Sequence, residues 1–173
     1  MTEGPEPPLS SLLNRLRFVL AEPVDFTRTD TETTIAKVRL LTAAATYFNV
    51  LAVGDFGGRF GTVREPGLVE QVVGAAFQSY AEEDPHPAPF DKAAMLLRGI
   101  TQGHPFNDGN KRTGFLVAAY FLQQVGHPFP KQLDVAAAEQ LCVRISAGEQ
   151  RDVDDIAREL HQLWEPTAER RGT

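Results

Sequence analysis

The distribution of hydrophobic residues along the 173-residue chain predicts α-helices almost throughout. Apolar positions recur three and four residues apart in successive stretches, which is the spacing of one face of an α-helix. The predicted helices begin near residues 10, 33, 66, 90, 111, 134 and 152, and stretches rich in proline, glycine or acidic residues separate them. We therefore expect an all-α fold, a bundle of six or seven helices in one domain.

One predicted helix is apolar on every side. The segment Phe115 to Leu122 reads FLVAAYFL, and a helix without a polar face is buried all round. This helix should run from about Lys111 to Gln124 and end before Gly126 and Pro128. We expect it to be the central helix around which the others pack.

Several helix ends carry local sequence signals. A polar stretch before residues 33–34 indicates a helix start there, and Pro66 suits the first turn of a helix that should end near Tyr80. Aspartates that suit N-cap positions precede the last two helices, at Asp134 and Asp152. These positions give specific boundaries that a structure can test.

A glycine-rich stretch interrupts the helical pattern between residues 54 and 63. It contains four glycines among ten residues, with apolar or β-branched residues between them, which indicates a turn or a small β-hairpin. A plain linker between two helices is an equally good interpretation of the sequence alone. The residues concerned are Gly57, Gly58, Arg59, Phe60, Gly61 and Thr62.

The termini differ in composition from the rest of the chain. Residues 1–8 are rich in proline, glycine and glutamate, and we expect them to be loosely ordered. Residues 1–35 form an N-terminal extension with room for one short helix, which could be a mobile arm, an extra packing helix or a partner site. The main domain should span residues 36–165, followed by a disordered tail at residues 166–173.

Composition narrows the class of protein. The formal net charge of −6 argues against nucleic-acid binding by the overall field, although a local basic site is compatible with it. The single cysteine, Cys142, excludes an intramolecular disulfide and fits a reducing compartment. The sequence has no secretory signal pattern and no run of eighteen apolar residues, so we expect a cytoplasmic protein that does not enter the membrane.

Chemistry-bearing residues are densest between His104 and Gly114, in the segment HPFNDGNKRTG. The segment 108–110 is a strong turn signal directly before the apolar helix, so backbone N–H groups should point out of the helix N-terminus. Such a terminus carries partial positive charge and binds phosphate. Lys111 and Arg112 oppose the helix dipole in a first turn, and their placement makes sense if an anion binds there.

Two further side chains extend this interpretation. Asp108 would be a lone carboxylate beside a phosphate site, an arrangement that typically holds Mg²⁺, although it could equally serve only as a helix cap. His104 lies at the end of the preceding helix and could accept a proton near neutral pH, although a single histidine is more often structural. Phe106 should point into the core and fix the loop. Together these groups suit phosphoryl or nucleotidyl transfer to a hydroxyl acceptor.

The segment HPFNDGNKR resembles the signature of the Fic/Doc superfamily, H-x-F-x-[DE]-[GA]-N-[GK]-R, and satisfies all seven of its specified positions. The resemblance extends over residues 50–164. Lys111 stands where Fic adenylyltransferases usually have glycine and looks like the Doc, or death-on-curing, branch. The resemblance implies an α-helical Fic fold in which the hairpin at residues 57–62 clamps a target polypeptide.

The same resemblance implies site roles and ligands. His104 would be the general base, Asp108 would hold Mg²⁺ and Phe106 would be structural. The nucleotide phosphates of ATP would be bound by Asn107, Gly109, Asn110, Lys111 and Arg112.

The implied activity is that of a Doc-like toxin, which transfers a phosphate from Mg-ATP to a Ser/Thr hydroxyl of a target such as elongation factor Tu. An antitoxin protein would be its usual partner. Adenylylation is the first alternative, but Phe115 stands where Fic adenylyltransferases carry a second arginine. The second is a non-catalytic Fic-fold binding module, against which the intact motif argues.

Overall fold

The computed structural model describes residues 24–55, 63–80 and 83–165 of the chain. This part is entirely helical apart from loops and two isolated antiparallel bridges, Val63–Phe106 and Tyr80–Glu83, which confirms the all-α prediction for these residues. No helix within these ranges is both long and apolar enough to cross a membrane. The described ranges contain six helices: α1 Thr31–Asp55, α2 Leu68–Ala75, α3 Pro89–Gly103, α4 Asn110–Gln124, α5 Val135–Ser146 and α6 Val153–Trp164.

Three predicted features lie outside the described residues. These are the short helix near residue 11, the glycine-rich hairpin at residues 57–62 and the tail at residues 166–173. Helix α1 begins five residues before residue 36, where the sequence places the start of the main domain.

Helix α4 is the apolar helix of the sequence, and eleven of its fifteen residues are buried. It packs against α1, α3 and α5. Aromatic rings from elsewhere in the chain meet it edge to face, at centroid distances of 5.6 Å for Phe26 with Phe121 and 5.9 Å for Phe77 with Phe121. Each such pair adds about 0.5–1.5 kcal/mol beyond the burial of its area. The start of α4 is therefore anchored on a well-packed element.

Helices α3 and α4 are in close contact at Gly114. A Cβ atom at this position would lie 2.8 Å from Thr101 Oγ1 and 3.0 Å from the Leu97 carbonyl oxygen, both on α3. Real Cβ atoms essentially never come as close to another atom as the 2.8 Å to Thr101 Oγ1, and the 3.0 Å to the Leu97 backbone oxygen is tighter than most real contacts, so an added methyl group would force a neighbour to shift. The loop between α3 and α4 thus begins and ends on two helices in tight contact.

Aspartate caps define three helix starts. Helix α1 begins at Thr31, two to three residues earlier than predicted, because Asp30 caps it: the Thr33 N–H donates to Asp30 Oδ1 at 2.9 Å. The hydrogen bonds that the Thr33 backbone and side chain donate to Asp30 lower the pKa of Asp30 to about 2. The predicted caps Asp134 and Asp152 are confirmed, since each accepts a backbone N–H three residues on at 3.0 Å.

The predicted start of α2 at Pro66 is wrong. Pro66 and Gly67 form a turn closed by the Leu68 N–H, which donates to the Glu65 carbonyl at 3.2 Å. Gly67 has φ 80° and ψ −11°, the values of the third residue of a type II turn, in which proline favours the second place. The Pro-Gly pair therefore stops the helix from starting before Leu68.

The predicted end of α2 near Tyr80 is also wrong, because the helix stops at Ala75. The N–H groups of Ala76 and Phe77 donate to carbonyls only three residues back, which tightens and closes the last turn. Tyr80 then pairs with Glu83 through two backbone hydrogen bonds of 2.9 Å. The apolar spacing of the sequence continues past the point where the backbone leaves the helix.

We expect Gly114→Ala to destabilise the protein by about 1–3 kcal/mol, because the added methyl group forces α3 and α4 apart. Gly54→Ala is the matched control: it lies in α1, no atom of the described residues lies within 4 Å of the place that its added methyl group would take, and it should be neutral or stabilising by up to about 1 kcal/mol. Urea unfolding of both variants measures the difference. A Gly114→Ala protein as stable as the wild type would contradict the close contact.

Cys142 should be chemically inert in the folded protein. It lies on α5 with 7% of its surface exposed, and burial raises its pKa to about 12, so the reactive thiolate is scarce at pH 8. A disulfide reagent such as DTNB should titrate one thiol in guanidinium chloride and react much more slowly with the native protein. Immediate stoichiometric reaction of the native protein would contradict this placement.

Candidate functional site

The loop between α3 and α4 carries the residues that the sequence singled out, and its two ends have unusual backbone geometry. His104 follows the last residue of α3 in the left-handed conformation, with φ 45° and ψ 52°. It is the one non-glycine residue with positive φ in the described part of the chain. Glycine normally takes this place after a helix, so histidine here costs conformational energy. Such strain is typical of residues retained for function.

The other end of the loop is a second left-handed residue, Gly109, which is the N-cap of α4 with φ 75° and ψ 10°. The Gly109 N–H donates to Asp108 Oδ1 at 2.7 Å, and the Thr113 N–H donates to the Gly109 carbonyl at 2.9 Å. The N–H groups between them, from Asn110 to Arg112, form the N-terminal end of the helix. The first N–H groups of an α-helix point out of its N-terminus.

The middle of the loop is closed by the side chain of Asn110. Its Oδ1 accepts from the Phe106 N–H at 3.0 Å, and its Nδ2 donates to the Phe106 carbonyl at 2.9 Å. Asn110 is 8% exposed and Phe106 is 1% exposed, so both hydrogen bonds lie in the interior, where they are strong. The Asn110 amide is thus used in holding the loop, while its backbone N–H belongs to the helix terminus.

The segment that follows the glycine-rich stretch is attached to this loop. Val63 forms an antiparallel bridge with Phe106, and the Arg64 N–H donates to the Pro105 carbonyl at 2.9 Å. The Arg64 guanidinium also reaches the His104 carbonyl at 3.5 Å. Residues 57–62 lie outside the described part, and the described chain resumes at Val63, beside the loop.

The structure brings the predicted site residues together on one short loop and one helix start. Phe106 and Asn110 are buried, Gly109 is half-buried, and the charge-bearing or polar groups at the surface are His104, Asn107, Asp108, Lys111 and Arg112. The first turn of α4 contains no acidic residue. Its partial positive charge and the two cations therefore create a concentrated anion-attracting surface.

The residues present fit a magnesium ion held mainly by water and phosphate. Asp108 is an exposed carboxylate at the edge of the anion-attracting surface. No group of three or more metal-ligating side chains occurs within the described ranges. One carboxylate combined with water and substrate phosphates is the usual way in which proteins bind Mg²⁺ at a nucleotide site.

Sequence reasoning missed Asn49. This residue of α1 is completely buried, and its Nδ2 donates to the Asp108 carbonyl at 2.7 Å and to Thr113 Oγ1 at 3.1 Å. The only sequence signal is a polar residue on the otherwise apolar buried face that runs from Leu41 to Val53. Its distance from the motif along the chain conceals the contact.

Comparisons with known proteins identify the family of this chain. The sequence model of the Fic/DOC family matches residues 39–122. Toxin Doc of Mycolicibacterium smegmatis is 37% identical over 114 residues, which cover 65% of this chain and 86% of that protein. Protein kinase doc of Escherichia phage P1 is 30% identical over 112 residues, covering 65% and 84%. A Fido domain-containing protein of Dictyostelium discoideum is 37% identical over 67 residues, covering 38% and 47%. The chain therefore belongs to the Fic/Doc family, and its similarity to two Doc proteins supports the Doc branch.

Proposed function

We propose that this protein is a Doc-like toxin that transfers the γ-phosphate of Mg-ATP to a Ser/Thr hydroxyl of a target protein. The observation that carries the proposal is the exposed His104 and Asp108 on one loop whose other end is a cation-rich helix N-terminus. Two relatives, one named as a toxin and the other as a protein kinase, support the same activity. Phosphoryl transfer needs positioning and charge stabilisation more than a protein nucleophile, and this site offers both.

In this proposal His104 is the general base. A neutral imidazole nitrogen takes the proton of the acceptor hydroxyl while the acceptor oxygen bonds to the γ-phosphorus and ADP leaves. His104 is exposed and its backbone is tied to Arg64, so an incoming hydroxyl can reach it without rearrangement of the core. The left-handed backbone of His104 costs conformational energy, and in this proposal that cost is tolerated because it places the imidazole at the start of the loop.

The start of α4 binds the phosphates. The backbone N–H groups of Asn110, Lys111 and Arg112 offer fixed donors, and Arg112 can add a forked pair of hydrogen bonds. Two cations in a first turn without an acidic residue weaken the helix when no anion is present. A bound triphosphate would instead be attracted by these two cations. In this proposal Gly109 and Asn107 belong to the same phosphate-binding loop.

Asp108 would hold Mg²⁺, which would supply positive charge to the nucleotide phosphates when bound. The Asp108 carboxylate is oriented by the Gly109 N–H at 2.7 Å. The chain's contribution is therefore a carboxylate whose direction is fixed by the same turn that presents the helix N-terminus.

The target polypeptide would dock against the glycine-rich segment. The bridge between Val63 and Phe106 places the chain that follows this segment beside the loop. The docking residues in the proposal are Gly57, Gly58, Arg59, Phe60, Gly61 and Thr62.

We also propose a target, a partner and a cellular location for this protein. The target would be elongation factor Tu or a similar protein, an antitoxin would be the partner and the protein would act in the cytoplasm. Residues 36–165 would be the Fic/Doc domain. The relative named Toxin Doc supports the toxin and antitoxin assignment.

We expect His104→Ala to reduce phosphate transfer by about 10²- to 10⁴-fold, because the acceptor hydroxyl loses its base. Intact-mass spectrometry of elongation factor Tu incubated with the protein, Mg²⁺ and ATP measures the transfer. His86→Ala is the matched control, since His86 lies in the loop before α3 and outside the site. Equal activity of wild type and His104→Ala would contradict the role.

Asp108→Ala should reduce transfer strongly while leaving the thermal unfolding midpoint within a few degrees, because this side chain is exposed. Intact-mass spectrometry of the target measures this loss.

The mass added to the target by the wild-type protein identifies the reaction. A gain of one phosphate supports the kinase, and a gain of AMP would overturn it in favour of adenylylation. Failure of the wild type to bind Mg-ATP at millimolar concentration would favour a non-catalytic binding module.

A further inference from the structure

We infer that Asn49 is a positioning residue that holds the phosphate-binding turn of α4 in its productive conformation. The inference rests on the proposed function for its catalytic consequence, but its structural part concerns the loop alone. Its starting point is that Asn49 lies on α1, far from the motif in sequence, yet binds the motif backbone directly.

Buried polarity in this protein is concentrated around the loop. The described part of the chain has five buried polar or charged side chains, and three of them, Asn49, Asn110 and Thr113, belong to the network that surrounds residues 106–113. A buried amide costs free energy unless it is hydrogen-bonded, so such a concentration in an apolar core requires a reason. The loop supplies that reason, because it is the part of the backbone that must be held.

The two hydrogen bonds of Asn49 span the left-handed turn. One goes to the Asp108 carbonyl, immediately before Gly109, and the other to the Thr113 hydroxyl in the first turn of α4. Between these points the Thr113 N–H donates a hydrogen bond to the Gly109 carbonyl. The single Asn49 amide nitrogen therefore fixes the position of the turn relative to the helix that follows it.

The turn also rests sterically on the same part of α1. A Cβ atom at Gly109 would lie 3.1 Å from Asn49 Nδ2 and 3.1 Å from Val53 Cγ2, so the turn is in close contact with this helix face. The steric contact fixes the distance of the turn from α1, and the hydrogen bonds of Asn49 fix the orientation of the turn. Both features orient the N–H groups of Lys111 and Arg112 and the carboxylate of Asp108.

Asn49 is not optimised for stability. Its Oδ1 is buried and has no hydrogen-bond partner in the described part of the chain. Buried unsatisfied acceptors are uncommon and are often retained where function needs the other half of the group. Leucine has the same number and branching of side-chain heavy atoms, and it would remove both the amide donor and the unsatisfied oxygen, so it tests the hydrogen bonds without leaving a cavity.

The first test uses amide hydrogen exchange of the full-length protein without nucleotide, comparing wild type with Asn49→Leu. We expect exchange at Thr113 and Phe106 to become about tenfold faster, as loss of a buried hydrogen bond predicts. The Ala138 N–H is the internal reference, because it makes the equivalent first hydrogen bond of α5, to the Asp134 carbonyl. Its exchange should not change.

The second test compares kcat and KM for phosphate transfer. Asn49→Leu should lower kcat about tenfold or more, with a smaller effect on KM, because misplaced donors lose transition-state interactions. Thr113→Val removes one of the two acceptors and should give a smaller loss. Thr101→Val is the matched control: its hydroxyl is buried and unpaired within the described part, it touches α4 at Gly114, and kcat should stay unchanged.

The outcomes separate this inference from the proposed function. Faster exchange confined to Thr113 and Phe106 supports the positioning role even if the wild type transfers no phosphate, in which case only the proposed function fails. Unchanged exchange, or faster exchange that includes Ala138, overturns the inference, and transfer by the wild type would then leave the proposed function standing. A Thr101→Val variant as impaired as Asn49→Leu also overturns it.

Discussion

The hydrogen-bonded pair between the Asn110 side chain and the Phe106 backbone is the constraint on which the rest of the site depends. It closes the loop between two helices in tight contact, and it is buried, so water does not compete for it. His104 and Asp108 lie on the outer side of this closed loop, and the N-terminus of α4 begins where it ends. The arrangement places an imidazole, a carboxylate and an anion-attracting terminus on a backbone fixed before any ligand binds.

The parts of the fold that can be predicted from the sequence are those set by local chemistry. The apolar run from Phe115 to Leu122 predicts a buried helix, and eleven residues of α4 are buried. Asp134 and Asp152 predict helix starts because a carboxylate cap acts within three residues. The motif residues predict a common site because they are neighbours in sequence, so any fold brings them close together.

The parts that the sequence does not predict depend on contacts between distant segments or on competing turn chemistry. Asn49 reads as one polar residue in an apolar helix, and nothing nearby shows that it meets Asp108. The sequence predicts the start of α2 two residues early because Pro66 suits both a first helical turn and a type II turn, and the glycine after it selects the turn. The need for glycine at position 114 likewise comes only from the close approach of Thr101 and Leu97 on the facing helix.

The most direct test of the central claim is a crystal structure of the wild-type protein with Mg²⁺ and a non-hydrolysable ATP analogue. Phosphate oxygens should lie about 2.8–3.1 Å from the backbone N–H groups of Lys111 and Arg112, with Mg²⁺ on the Asp108 carboxylate and the Asn110–Phe106 pair intact. A triphosphate bound away from the start of α4, or a loop in which the Asn110 amide has left Phe106, would contradict it.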